Sequence, residues 1–330
     1  MQVEPAGCLA PVSVVVCTTG RLEELRNVLT SLAEQRRRPA EVIIVDQSGV
    51  DGVAAVCGSR EWPFALKHVR VSWRSLANAR NVGVDAADAA TRWILFLDDD
   101  VVLSPTYIEE LLRGAERHSE AKILFGVIEN LKPSPSTYNF FAKLVGLPYH
   151  GPGAGFRVMP SFKTTMDTRV TTDLPAEWAT GCGFMVERNV FVANRFDSNL
   201  VSYSLDEDLD FTFRVGKTGK DLLWCIAAAR LTHFEAPANR LNADRLALMR
   251  TLYDVYFFFK NRRLGLSLWR FILSEAAYTL AIAGATLVGY QGNPYPLGPH
   301  LRSYLYVLKF WRELRRGNLI RVNELLTMKI

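Results

Sequence analysis

The chain has 330 residues, 49% apolar and 22% charged; this is the balance of a globular protein with a substantial core, and it excludes a chain disordered throughout. The formal charge of +5 conceals a division: residues 236–330 hold 14 Lys and Arg against 5 Asp and Glu, net +9, while residues 1–235 are net −4. A C-terminal region both basic and apolar suits an anionic membrane surface, and the stacking and base-reading motifs of nucleic-acid modules are absent.

From the N-terminus, Glu4, Pro5 and Gly7 interrupt the sequence before any continuous apolar run, unlike a secretory leader. Cys8, Cys17, Cys57, Cys182 and Cys225 are odd in number, widely spaced and without a CxxC pair, so reduced thiols in the cytoplasm are expected. Val12 to Cys17 reads as a buried strand, and Thr18-Thr19-Gly20 as a turn capping a helix with Leu22, Leu25, Leu29 and Leu32 on one face. Glu41 to Asp46 is a second short strand closing on a carboxylate; strand, helix and strand in this order imply parallel pairing through a right-handed crossover. A helix fits Leu76 to Ala90, a strand Trp93 to Leu97, and Ser104-Pro105 a cap and first-turn proline ahead of Tyr107, Ile108, Leu111 and Leu112. Residues 131–176, rich in Pro, Gly and hydroxyl side chains, read as a long mobile connection. Order resumes at Trp178, and a helix begins at Asp206, Glu207, Asp208 and Asp210, with carboxylates at its electropositive end.

The strand Trp93 to Leu97 runs straight into Asp98-Asp99-Asp100. Three adjacent carboxylates repel one another, so they suit a strand's open end where a hard divalent cation neutralises them; an acidic loop is the alternative. Alternating strands and helices make an open α/β sheet, which binds ligands beyond the carboxyl ends of its strands. Thr18, Asp46 and Asp98 to Asp100 all fall at that edge.

Four segments in order resemble the family-2 glycosyltransferases: Val12 to Arg21, Val42 to Ser48, Ala79 to Gly83 with Ile94 to Asp100, and Glu207 to Asp210 ahead of Arg214. The resemblance spans about residues 12–235 and implies a GT-A-type, Rossmann-like open mixed sheet flanked by helices. It implies a catalytic domain over residues 1–235, with a nucleotide-sugar half at 12–130, the mobile loop at 131–176 and an acceptor half at 177–235; composition, not the resemblance, reads residues 236–330 as a helical apolar and basic extension that associates with a membrane or dimerises.

The activity implied is metal-dependent, inverting transfer of a sugar from a nucleotide-diphospho-sugar to an acceptor hydroxyl, on a lipid-linked glycan or cell-surface polysaccharide precursor. Asp98 and Asp100 match the ends of the family's Asp-x-Asp motif and would hold Mn²⁺ or Mg²⁺, with His233 as a further ligand and Asp99 near ribose or metal. Thr18, Arg21, Asp46, Gln47 and Arg80 fall at the nucleotide, Asn81 ordering the local backbone. Asp208 matches the catalytic base, with Glu207 its competitor, and Glu207 and Trp178 border the acceptor. A sugar-phosphate nucleotidyltransferase and a noncatalytic glycan-assembly protein are the rival readings.

In the C-terminal region, Phe271 to Tyr290 contains one charged residue, Glu275, and is just long enough to span a bilayer. Tyr304, Val307, Leu308 and Trp311 fall on one helical face beside Lys309, Arg312, Arg315 and Arg316. Peripheral contact with an anionic membrane at the inner face of the cell is expected, burial against the catalytic domain or a homodimer partner being the rival.

Overall fold

The computed structural model describes residues 9–235, 241–287 and 296–327. They form two compact units, each discontinuous in sequence: Met1–Lys132, Thr168–Ser198 and Glu207–Asn239 in the first, and Pro133–Asp167, Asn199–Asp206 and Arg240–Ile330 in the second.

The chain opens with β1 (Ala10–Thr18), α1 (Leu22–Ala33), β2 (Pro39–Asp46), α2 (Gly52–Cys57), β3 (Ala65–Arg70) and α3 (Leu76–Ala86). Then come β4 (Trp93–Asp98), β5 (Val101–Leu103), α4 (Tyr107–Arg117) and β6 (Ile123–Ile128). The second unit contributes α5 (Ser136–Val145), β7 (Tyr149–His150) and β8 (Thr165–Met166), before β9 (Leu174–Ala176), β10 (Gly183–Glu187), α6 (Glu207–Gly216) and β11 (Leu223–His233) return to the first. Helices α7 (Ala243–Asn261), α8 (Leu268–Leu287), α9 (Leu297–Lys309), α10 (Trp311–Arg316) and α11 (Ile320–Thr327) complete the second unit.

The first unit is built on a sheet of order β3-β2-β1-β4-β10-β6-β11-β5, with β9 paired to β11. β1, β2, β3 and β4 are parallel, as the strand and helix alternation requires. β10 runs antiparallel between β4 and β6 and makes the sheet mixed. Val14, Val16, Leu95 and Leu97 are buried on one face against Leu25, Val28, Leu29 and Leu32 of α1, which is why these strands read as continuous apolar runs. The described cysteines, Cys17, Cys57, Cys182 and Cys225, are thiols; Cys8 lies outside the described residues.

Several boundaries differ from the sequence reading. α3 ends at Ala86 because Ala87 is extended and the Asp88 side chain accepts from Ala90 N–H at 2.9 Å, turning the chain. α1 is preceded by Arg21, and α4 starts at Tyr107 after Thr106; neither Arg21 nor Thr106 makes a side-chain cap. Residues 131–176 are not structureless: α5 ends at Gly146 in the left-handed conformation, φ 74°, and the adjoining residues 133–167 cluster with the C-terminal helices. Val307 is buried but Leu308 is exposed, and α9 ends before α10 begins at Trp311, so the expected shared face is broken.

Glu275 has a partner from the supposed loop. Lys163 Nζ lies 2.7 Å from Glu275 Oε1 and 2.7 Å from Asp254 Oδ2, and Tyr304 donates to Glu275 Oε2 at 2.8 Å. No helix among the described residues is long and apolar enough to cross a membrane; residues 288–290 of the apolar stretch lie outside them.

Burial pushes the Glu275 carboxyl up, but Lys163, Arg250 and Tyr304 outweigh it and hold it below the usual range. A folded-state value below the unfolded one contributes stability above the ordinary carboxylate range and loses it as pH falls through the depressed value. Glu275→Gln is therefore expected to cost about 3 kcal/mol near neutrality. The deficit should shrink on acidification, as read from urea midpoints at several pH values.

Candidate functional site

One edge of the sheet collects the chemistry. The carboxyl ends of the parallel strands β1, β2 and β4 deliver Thr18, Asp46 and Asp98 there, while antiparallel β10 starts at the same edge. β11 is parallel to β6, so it too ends at this edge; its pairing with β5 sets His233 opposite Val101, and Phe234 N–H donates to Asp100 C=O at 2.9 Å. The short β5 strand thus folds the acidic run back against the last strand.

The three aspartates divide their work. Asp99 is fully buried, accepting from Thr18 Oγ1 at 2.6 Å and pairing with Arg21. Burial, only partly offset by Arg21 and Thr18, pushes its carboxyl up to about 6. Asp100 accepts from Arg21 Nη1 at 2.9 Å and lies 3.2 Å from His233 Nε2, while Asp98 is the most open of the three. Ligand atoms of Asp98, Asp100 and His233 all fall within 4.8 Å of one another. Two carboxylates and an imidazole form a donor set suited to a divalent cation such as Mn²⁺, which takes oxygen and imidazole ligands together. Burial lowers the His233 pKa, but the hydrogen bond to Asp100 and the charge of Asp98 outweigh it and raise the imidazole above its ordinary value.

Thr18 and Arg21 therefore brace the acidic run. The turn between them needs Gly20, whose φ is 95° and whose N–H donates to Thr18 Oγ1 at 3.1 Å.

Arg80 is buried to 2% exposure and faces Asp98 Oδ1 at 3.2 Å, Glu207 Oε1 at 2.8 Å and the Gly181 carbonyl at 2.8 Å. Phe96, Phe184 and Phe196 surround its guanidinium, with ring centroids 5.4 to 5.8 Å away. It has an organising role: one planar cation holds two carboxylates from different elements. Asn81 orders backbone, donating to Phe196 C=O at 3.0 Å and accepting from Phe196 N–H at 3.1 Å.

At the start of α6, Glu207 is buried against Arg80, whereas Asp208 is partly open. Burial raises the Asp208 carboxyl above its usual range, opposed by Arg80 and by amide donation from Leu209 and Gly181. Gly181 is the residue that sequence reasoning passed over: a Cβ there would sit 2.9 Å from Asp208 Oδ2 and 3.0 Å from Arg80 Nη2. The run of small residues after Trp178 was the available signal. Trp178 itself is only 7% exposed, which leaves little ring face for a sugar.

Asp46 is buried at the end of β2, accepting from Ser48 N–H at 2.8 Å and contacting His68 Nε2 at 3.0 Å. Burial raises its carboxyl, but Ser48 and His68 outweigh this and lower it, so it is held as a carboxylate. Gln47 Oε1 accepts from Ser75 N–H at 2.8 Å and anchors the start of α3. His68, and Arg70 whose Nε lies 3.6 Å from Asp46 Oδ2, escaped sequence reasoning because exposed β3 lacks an apolar run.

Residues 13–160 match the model for glycosyl transferase family 2. An uncharacterized glycosyltransferase of Bacillus subtilis (strain 168), YwdF, is 30% identical over 135 residues, which are 40% of this chain and 49% of that protein; the match thus spans about half the relative's length. Among solved structures, the mannosyltransferase PcManGT from Pyrobaculum calidifontis, in complex with GDP-Man and Mn²⁺, aligns at TM-score 0.54 and 16% identity over 98% of this chain and 88% of its own. GalNAc-T7 with UDP, GalNAc and Mn²⁺ aligns at TM-score 0.54 and 15% identity over 78% and 51%. These structural likenesses establish the GT-A fold.

Removing Arg80 strands buried carboxylates. Arg80→Met is expected to lower stability by about 3–5 kcal/mol. Arg80→Lys should recover little of this, because an ammonium lacks the planar fork that reaches Asp98, Glu207 and Gly181 together; urea unfolding followed by tryptophan fluorescence gives both values.

Proposed function

We propose that this chain, whose residues 13–160 match glycosyl transferase family 2 and which has the GT-A fold, carries out metal-dependent, inverting transfer of a sugar from a nucleotide-diphospho-sugar to an acceptor hydroxyl. The observation that carries this reading is the convergence at one sheet edge of Asp98, Asp100 and His233, with Asp208 joined to the same charge network through Arg80 and Gly181.

Asp98, Asp100 and His233 would hold Mn²⁺ or Mg²⁺. Such an ion supplies positive charge to the diphosphate of the departing nucleotide. Thr18 and Arg21 keep the acidic run in place, and Asp46 with Gln47 marks the nucleotide's base and ribose end. The two similar solved proteins hold guanine and uracil nucleotides respectively, so the nucleobase of this donor follows from neither.

Asp208 is the base. As the acceptor oxygen attacks the anomeric carbon from the face opposite the leaving diphosphate, the Asp208 carboxylate takes the hydroxyl proton while the glycosidic bond to phosphate breaks. Its raised carboxyl makes it a stronger proton acceptor than an exposed aspartate. Glu207 is less suited because Arg80 engages it in the interior. The acceptor is a lipid-linked glycan or cell-surface polysaccharide precursor at the inner face of the membrane, a reading supported by the apolar and basic C-terminal region.

Asp208→Asn is expected to keep donor-dependent thermal stabilisation in Mn²⁺ or Mg²⁺ while lowering transfer by about 10²–10⁴-fold. Asp100→Ala should instead lose the metal-dependent donor stabilisation. A panel of nucleotide sugars assayed for transfer and hydrolysis reads both; undiminished transfer by Asp208→Asn would overturn the base assignment, and release of pyrophosphate would identify a nucleotidyltransferase.

A further inference from the structure

α8 is amphipathic in the inverted sense. Its inward stripe carries Phe271, Ser274, Glu275 and Ile282, and the polar members are satisfied: Glu275 by Lys163 and Tyr304, and Ser274 by the Gly146 carbonyl at 2.9 Å. Its outward stripe is Trp269, Ile272, Leu273, Ala276, Leu280 and Leu287, with no polar side chain among these positions. Leu280 is 73% exposed and Trp269 63%. A helix in water normally shows the reverse arrangement.

The neighbouring helices of the same unit continue the pattern. α9, joined to α8 through Tyr304 and Glu275, turns Leu301, Leu305 and Leu308 outward at helical spacing, Leu305 being 65% exposed. α5, whose following Gly146 accepts from α8, exposes Phe140, Phe141 and Leu144. Apolar surface this extensive marks an interaction site.

Charge selects the occupant. Arg262, Arg263 and Arg270 are exposed around the start of α8, and Arg302 and Lys309 flank the leucine stripe of α9. Of the five carboxylates in residues 236–330, Asp254 and Glu275 are buried against Lys163. A second copy docked symmetrically would bring two basic rims together, which opposes association. An anionic lipid surface complements both the rim and the apolar stripe, and the tryptophan near the arginines suits the headgroup level. We infer that the outward face of α8 and α9, extended by α5, lies in the interface of an anionic bilayer, with the helices along the membrane plane. This inference does not require the transfer chemistry.

Flotation of the full chain with vesicles tests it, using phosphatidylcholine alone and phosphatidylcholine mixed with phosphatidylglycerol. Wild-type protein should float with the anionic vesicles, bind the neutral ones more weakly, and dissociate as salt rises. Leu280→Glu with Leu305→Glu should weaken anionic-vesicle binding by at least about tenfold while the far-UV spectrum and thermal midpoint are retained. Arg270→Glu with Lys309→Glu provides a second measurement should the first variant fail to fold: it should lose the preference for anionic over neutral vesicles. Wild-type protein that floats with neither vesicle, or a folded leucine variant that binds as well as wild type, overturns the inference. So does a dimer, seen by light scattering, that the leucine variant dissolves without changing vesicle binding, since the face would then be occupied by a second copy.

Discussion

The arrangement at the sheet edge depends on the burial of one guanidinium. Carboxylates from β4 and α6 approach one another in a region lined by Phe96, Phe184 and Phe196, where their repulsion and desolvation would be prohibitive without a cation. Arg80 supplies it from α3, at once facing Asp98, Glu207 and the Gly181 carbonyl. A planar fork with several donors is needed here, and so is a glycine opposite it, because a methyl group at position 181 would crowd both Arg80 and Asp208. Packing and electrostatics are therefore the same constraint at this point: the aromatic shell makes the ion pairs strong, and the ion pairs make the burial tolerable.

Topology determines which carboxylates remain for chemistry. A purely parallel sheet would bring only strand ends to this edge. Inserting β10 in the opposite direction adds a strand start, and with it Gly181 and Cys182, whose carbonyl accepts from Asp98 N–H at 3.3 Å. The β5 turnback against β11 then sets His233 beside Asp100. Asp99 is consumed by Thr18 and Arg21, so an apparently redundant triplet divides into one buried anchor and two carboxylates that sit with His233.

The parallel half of the fold was legible because each element carries its own signal: Val12 to Cys17 and Trp93 to Leu97 are continuous apolar runs, and α1 has leucines at helical spacing. The edge residues were legible for the same reason, since a strand's carboxyl end is fixed once the strand is found. Their partners were not. Nothing local to Arg80 says that its guanidinium turns inward to Glu207, 127 positions away, and an exposed strand such as β3 gives no apolar period to announce His68. Trp178 shows a different limit: an aromatic side chain suits a sugar platform and a core equally, and its 7% exposure is set by tertiary packing that the local sequence does not announce.

Glu275 carries that lesson furthest. In sequence it is the one charge in a bilayer-length apolar stretch, a flaw if that stretch faces lipid. In the fold it faces Lys163, from the segment 131–176 whose prolines and glycines had suggested a structureless connection. Each residue explains the other: a buried lysine requires carboxylates, and a carboxylate amid apolar residues requires a buried cation. Pinning the polar side of α8 inward rotates its leucines and Trp269 outward. The one charged residue of the apolar stretch is thus what sets which side of the same helix faces inward and which faces out.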